Sequence, residues 1–144
     1  MKKANGRWQI HLPGKYSNRV FIGGDYVHCL LLDSIKEPIK DVAFYGILAN
    51  DFVTPGAERL ISLYLLSKCK FAIFEVSTTA GHLIEIEHLN TDKQKLLFLW
   101  DAMAFTTPIV TRMLQSTELF QNNSKGYKGL KNMELEVINF LKSP

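Results

Sequence analysis

Short segments that are apolar at consecutive positions alternate with helical patterns along this chain, and this alternation constrains the fold more than any other feature. An exposed sheet face would show polar residues at every second position, so uninterrupted apolar runs are typical of parallel strands covered on both faces. Such runs predict strands over residues 19–24, 42–49, 71–77 and 95–100, with a weaker fifth strand over 127–131.

Apolar residues spaced three or four apart follow each run, as expected of helices packed on one face. They predict helices over residues 26–39, 58–70, 80–91, 108–120 and 134–141. Pro38 is expected to end the first helix, since proline removes a backbone donor. We therefore predict an α/β fold, a three-layer flavodoxin-like sandwich with about five mostly parallel strands.

The length of 144 residues fits one compact domain. Residues 1–18 lack a sustained period and contain glycine and proline, so we interpret them as an irregular lead-in. Residues 19–144 are interpreted as a single α/β domain.

Composition and charge exclude several classes of protein. The net charge of +3 is small and scattered, so a nucleic-acid partner is not expected. No apolar stretch reaches the roughly 18 to 20 residues that cross a bilayer, and the basic N-terminus lacks the apolar segment of a signal peptide. Two cysteines in apolar runs, Cys29 and Cys69, point to a reducing compartment. These features together predict a cytoplasmic protein with no membrane partner.

A sheet of this kind binds ligands outside the carboxyl ends of its strands, near the point where the strand order reverses. The segments that follow the predicted strands are residues 23–26, 50–51, 77–85 and 101. Residues 77–82 are small or hydroxylated, except for His82, and they lie where a strand meets a helix. Free backbone N–H groups and the positive helix end there suit a phosphate or carboxylate.

Glu85 lies one turn into the predicted helix and shares a face with His82. A carboxylate in that place can act on a bound sugar or base. The alternative interpretation is that Glu85 only complements the helix dipole. His82, Glu85 and His88 approach the spacing of metal ligands but lack the His-Glu-x-x-His order, so neither a metal nor another cofactor is expected.

Other candidate residues also have structural interpretations. Gly23 and Gly24 can form a sharp turn, since neither a Walker A loop nor the dinucleotide fingerprint is present. Asp51 can be a turn former. Glu75 is unusual inside a central strand, so it either faces the cleft at the strand's exit or pairs with a base.

Several of these segments resemble a known superfamily. The residues that carry the resemblance are Arg-Val-Phe-Ile-Gly-Gly at 19–24, Ser-Lys-Cys-Lys at 67–70, Phe-Ala-Ile-Phe-Glu-Val-Ser at 71–77 and Ala-Gly-His-Leu-Ile-Glu at 80–85. Over residues 19–99 the chain resembles the nucleoside 2-deoxyribosyltransferase-like group, which is related to Toll/interleukin-receptor (TIR) domains and cytokinin-riboside phosphoribohydrolases. Many members carry a glycine followed four positions later by a glutamate that acts at the N-glycosidic bond. Gly81 and Glu85 match that spacing, whereas Thr79 stands where deoxyribosyltransferases usually carry aspartate.

The resemblance implies roles for particular residues. Glu85 would stabilise or attack the anomeric carbon as oxocarbenium character develops. Asp51, or else Asp25, would hold the ribose hydroxyls or share proton transfer to the leaving base. Tyr26 or Phe52 would stack on the base. The residues expected to bind the substrate are Gly23, Gly24, Asp25, Tyr26, Phe52, Ser77, Thr78, Gly81 and His82.

The function predicted from these observations is that of an enzyme acting on the N-glycosidic bond of a nucleoside or nucleotide, of the glycosidase or deoxyribosyltransferase type. Its ligand would be a nucleoside, a nucleotide or an NAD-like molecule, and the resemblance implies a homo-oligomer. The alternative is a non-catalytic TIR-like module that senses nucleotides or directs assembly. A response-regulator relative is a third interpretation, which the Ser at position 77 disfavours because a phosphoacceptor aspartate is required there.

Overall fold

A computed structural model of the chain describes residues 2–4, 7–24, 29–52, 58–77, 88–89, 92–103 and 117–143. The strands are β1 (Lys2–Ala4), β2 (Arg7–Gln9), β3 (Arg19–Gly23), β4 (Tyr45–Leu48), β5 (Phe71–Glu75), β6 (Lys95–Asp101) and β7 (Ser124–Tyr127). The helices are α1 (Cys29–Asp41), α2 (Glu58–Ser67), α3 (Glu118–Asn123) and α4 (Leu130–Lys142). The predicted helix over 80–91 falls almost entirely outside the described residues, and of the predicted helix over 108–120 only residues 117–120 are described.

Five strands form one parallel sheet in the order β4-β3-β5-β6-β7. This is the flavodoxin-like order, which confirms the predicted fold class. Because β4 lies on one side of β3 and β5 on the other, the strand order reverses between β3 and β5. That boundary is the switch point beside which such sheets bind ligands.

Two apolar layers cover the sheet, which explains why the strands are apolar at consecutive positions. One layer joins Phe21 and Phe74 of the sheet to Leu65 of α2 and Phe120 of α3. The other joins Val20 and Ile73 to helices α1 and α4, which contact each other. Cys69 is a free, buried thiol in the first layer, and burial raises its pKa to about 12.

The fifth strand lies earlier in the chain than predicted. It covers Ser124–Tyr127 instead of 127–131, and α4 already begins at Leu130. The segment 121–126, which lies between the predicted helix over 108–120 and the predicted strand, contains the end of α3 and most of β7. As an edge strand, β7 is half-exposed and polar, so it lacks the apolar run that revealed the other strands. Gly126 leaves space for the Trp100 ring, because a Cβ there would lie 2.7 Å from that ring.

The prediction that Pro38 ends the first helix is wrong, since α1 continues through it to Asp41. Proline removes one N–H bond, but the fully buried Ile35 and Ile39 continue the apolar face across that position. The helix ends in a Schellman motif: the Ala43 N–H bonds the Lys40 carbonyl at 3.1 Å, and the Phe44 N–H bonds the Ile39 carbonyl at 3.1 Å.

The lead-in contains more structure than its composition predicted. Strands β1 and β2 form an antiparallel pair, and Tyr16–Asn18 form a 3₁₀ turn. Three-residue strands are too short to show an alternating pattern. The Arg19 guanidinium fastens this segment to the sheet by donating to the carbonyls of Pro13 at 2.7 Å and Gly14 at 2.8 Å.

Within the described ranges, no helix combines the length and the apolar composition that a membrane span requires.

The Schellman motif predicts a stabilising substitution. Ala43 has a φ of 65°, a left-handed conformation that glycine adopts without a Cβ penalty. We expect Ala43→Gly to raise the free energy of unfolding by about 0.5–1 kcal/mol, as measured by urea denaturation. Ala102→Gly is the control, because Ala102 is not among the positive-φ residues of the described chain and its substitution only adds flexibility to the unfolded state. Equal changes in the two variants would contradict this explanation.

Candidate functional site

The two strand exits at the switch point lie side by side. Strand β3 pairs with β5 in parallel, with Gly23 opposite Phe74. The chain leaves β3 through Gly24 and leaves β5 through Val76 and Ser77. The structure therefore brings together the described parts of two segments predicted to bind substrate.

Both glycines at the exit of β3 are required by packing. A Cβ on Gly23 would lie 2.5 Å from the Phe74 ring, and one on Gly24 would lie 2.9 Å from Leu32 and 3.0 Å from the Glu75 carbonyl oxygen. The close approach of the two strand exits is sufficient to explain why glycine occupies both positions. The predicted contact of Gly23 and Gly24 with a ligand stays a prediction.

Glu75 is the last residue of β5, and its side chain is buried, with only 3% of the residue exposed. One carboxyl oxygen, Oε1, accepts the Ser77 backbone N–H at 2.5 Å. The other, Oε2, accepts the Ser77 hydroxyl at 3.2 Å and the Tyr127 hydroxyl. Glu75 thus lies at the strand's exit, as one of the two interpretations held, but it is buried there and does not face an open cleft. Its partners in the described part of the chain are hydroxyl and amide donors instead of a base.

Burial has the largest effect on the pKa of the Glu75 carboxyl. Loss of water raises the pKa of Glu75 above its ordinary value of 4.5, and the nearby Asp101 charge adds to the rise. The hydrogen bonds from Tyr127 and Ser77 oppose it without cancelling it. Burial and the neighbouring Glu75 also raise the pKa of Tyr127, so the phenol keeps its proton and acts as a donor.

Ser77 links this carboxyl to the next strand. Its Oγ accepts the Asp101 backbone N–H at 2.7 Å while donating to Glu75. The Tyr127 carbonyl accepts the Ala102 N–H at 2.9 Å. We call Glu75, Ser77, Asp101 and Tyr127 the exit cluster, because together they join the carboxyl ends of β5, β6 and β7.

Sequence patterns pointed to three members of this cluster but not to Tyr127. Ser77 and Asp101 were among the segments after the strands, and Glu75 was noted as unusual. Tyr127 was missed because the predicted fifth strand began at this residue, whereas β7 ends there, at the carboxyl edge of the sheet. One signal in the sequence could have identified it: Tyr127 is an aromatic residue at the end of an otherwise polar segment, Ser124–Tyr127.

Asp51 and Phe52 follow β4, next to the switch point. The Asp51 Oδ2 forms an ion pair with Lys36 Nζ of α1 at 2.5 Å, with side chains 43% and 33% exposed respectively. Asp51 belongs to a 3₁₀ turn over Ala49–Asp51, in keeping with a turn former. Phe52 is half-buried against the apolar layer that contains Phe21. The predicted catalytic role of Asp51 and stacking role of Phe52 are not tested by this arrangement.

The remaining candidates lie outside the described residues: Asp25, Tyr26, Thr78, Gly81, His82 and Glu85. Their roles stay predictions. Among the residues whose positions are described, no group of three or more His, Cys, Asp or Glu side chains could hold a metal ion.

Comparison with solved structures relates the fold to known proteins. The CMP N-glycosidase BcmB of Clostridium botulinum is 17% identical, with a TM-score of 0.56 over 83% of this chain and 97% of that one. A diflavin flavoprotein A3 from Nostoc sp. is 14% identical, with a TM-score of 0.47 over 89% of this chain and 90% of that one. No protein-family model and no curated protein matches the chain. The chain therefore shares its fold, though little of its sequence, with an N-glycosidase.

The burial of Glu75 predicts how stability depends on pH. A carboxyl whose pKa is raised by folding favours the folded state when protonated, and this contribution is lost as pH rises above 4.5 through the folded pKa. Glu75→Gln removes the ionisation. The free energy of unfolding of the variant minus that of the parent should therefore be larger at about pH 8 than at about pH 5.

Urea denaturation at several pH values measures this difference. Glu134→Gln is the control, since it changes an exposed carboxyl of α4. A Glu75→Gln difference that is constant across pH would show that the carboxyl ionises as easily in the folded chain as in the unfolded one.

Proposed function

We propose that this chain acts on the N-glycosidic bond of a nucleoside or nucleotide. The observation that carries the proposal is that the exit of β3 at Gly23–Gly24 lies beside the end of β5, which leads into Ser77, at the switch point of a fold shared with 97% of a CMP N-glycosidase. Ligands of such sheets bind beside this point. A nucleoside 5′-monophosphate is the substrate class that we infer, since its phosphate suits the backbone N–H groups of a strand-to-helix turn.

Glu85 is the proposed catalytic carboxylate. It follows Ser77 by eight residues, in the segment that leaves β5 at the switch point. Breaking the bond between ribose and base develops positive charge at the anomeric carbon, and a carboxylate there stabilises this charge or attacks the carbon to form a glycosyl-enzyme. In the second case water then attacks the same carbon, releasing the sugar and restoring the carboxylate.

Asp51 is proposed as the second acidic group, either holding the ribose hydroxyls or sharing in proton transfer to the base. Its partner Lys36 holds the carboxylate at the end of β4 and limits its orientation. The proposed substrate contacts are Gly23, Gly24, Asp25, Tyr26, Phe52, Ser77, Thr78, Gly81 and His82.

The first test of the proposal is loss of base release on changing Glu85. We expect the parent protein to release free base from a mixture of nucleosides, nucleotides and NAD that includes CMP, as detected by chromatography. Glu85→Gln keeps the side-chain volume but removes the charge, so the rate should fall by more than about 100-fold. Glu87→Gln is the matched control from the same predicted helix.

A Glu85→Gln variant as fast as the parent would remove this residue from the mechanism. Saturable binding by the parent without any base release would instead favour the non-catalytic sensing module.

A second test separates the two possible roles of Asp51. An ion pair this exposed contributes less than about 1 kcal/mol, so Asp51→Asn and Lys36→Met should both leave the free energy of unfolding within that range. If Asp51 acts on the substrate, Asp51→Asn lowers kcat far more than Lys36→Met does, because the second variant loses only the ion pair and keeps the carboxylate. Equal kcat values in the two variants would restrict Asp51 to its turn and ion pair.

A further inference from the structure

We propose that Glu75 is a positioning residue, which together with Tyr127 holds Ser77 and so fixes the path of the chain where it leaves β5. The inference rests on the proposed function, because the segment that follows Ser77 carries Gly81 and Glu85. Glu75 itself, with 3% of its surface exposed, has no room to contact a substrate as the molecule stands.

Ser77 is held from two directions. On one side its N–H and its hydroxyl both donate to the Glu75 carboxyl. On the other side its Oγ accepts the Asp101 N–H at 2.7 Å. A residue bound through both its backbone and its side chain has little freedom to rotate, so these bonds hold Ser77 in one conformation at the exit of β5.

Tyr127 fixes the carboxyl in turn. Its hydroxyl donates to Oε2 from the far end of β7, and its carbonyl accepts the Ala102 N–H at 2.9 Å. Three donors thus converge on two carboxyl oxygens. The carboxyl cannot turn away from Ser77 without losing its hydrogen bond from the phenol, and an unpaired polar group at so buried a position costs about 1–3 kcal/mol.

The chemistry of these contacts requires a carboxyl group. An apolar side chain would pack at this position but would leave the Ser77 N–H and both hydroxyls without an acceptor. Glutamine offers one acceptor oxygen, and its NH₂ would face donors that now point at Oε2. An apolar residue would avoid the free-energy cost of burying a polar group, but only a carboxyl group accepts all three of these hydrogen bonds.

Among the residues that the structure describes, few charged or titratable groups surround Glu75. Asp101 comes from β6 and Tyr127 from β7. From the other side, β3 brings Gly24 to the Glu75 backbone, and α1 brings Leu32 to that same glycine, so neither residue adds a charge. A change at Glu75 or Tyr127 therefore acts mainly through Ser77.

Positioning matters to the proposed reaction because Glu85 must reach the anomeric carbon. A displacement of about 1 Å at a catalytic group can cost about 100-fold in rate. Loosening Ser77 should accordingly lower kcat for base release while the protein stays folded.

The experiment compares Glu75→Gln, Tyr127→Phe and the double variant with the parent protein. Tyr127→Phe is the milder change, because it removes only the hydroxyl, and Tyr64→Phe is its control on the exposed surface of α2. Amide hydrogen exchange at Ser77 and Asp101, measured by NMR, reports the hold on Ser77 and requires no activity. We expect exchange at both amides to accelerate by more than about tenfold in Glu75→Gln and Tyr127→Phe, and not in Tyr64→Phe.

Kinetics supply the second readout, using the nucleotide that the parent cleaves. We expect kcat to fall by more than about tenfold in both single variants with a smaller change in KM. The double variant should lose no more than Glu75→Gln alone, because Tyr127 acts through Glu75. Additive losses would mean that the two residues act separately, which overturns the proposal.

The two hypotheses fail in different ways. A parent that releases no base contradicts the proposed function, and exchange alone then decides the positioning role. Unchanged exchange at both amides in Glu75→Gln and Tyr127→Phe overturns the positioning role whatever the activity. Accelerated exchange with an unchanged kcat overturns it as well.

Discussion

The burial of β5 along its whole length is the constraint on which the rest of the structure depends. Every residue of this strand from Phe71 to Glu75 is buried, with β3 on one side and β6 on the other. Apolar side chains can be buried here without hydrogen-bond partners. The Glu75 side chain cannot, and a buried carboxyl is tolerated only where donors converge on it. The exit cluster is the local solution to that requirement.

This solution orders the carboxyl edge of the sheet. On one side of β5, two glycines let β3 approach the Glu75 backbone. On the other side, Ser77 joins the exit of β5 to that of β6, and Tyr127 extends the connection to β7. The chain leaving β5 is therefore constrained from both sides where an α/β sheet binds its ligands. The proposed site would therefore adjoin strand exits that are held by hydrogen bonds.

The fold is supported by the strand order and packing of this chain, whereas the proposed chemistry depends on particular side chains. The strand order and the two apolar layers are seen directly, and a CMP N-glycosidase shares the fold at 17% identity. Such a distant likeness carries the architecture, while activity depends on individual side chains. The functional hypothesis therefore depends on the chemistry of Glu85 and its neighbours, and fold alone cannot replace that chemistry.

The sequence by itself determined the fold class, and it predicts that a ligand binds at the carboxyl edge of the sheet. Local sequence patterns predict four of the five sheet strands and the buried faces of α1 and α2. A strand that is buried on both faces is apolar at consecutive positions, whereas a helix that is buried on one face has apolar residues three or four positions apart. Tertiary structure decided what no local pattern records. Pro38 continues a helix because its neighbours are buried, and β7 is a strand because β6 offers it an edge. Tyr127 meets Glu75 across 52 residues of chain, a contact that only the pairing order of the strands brings about.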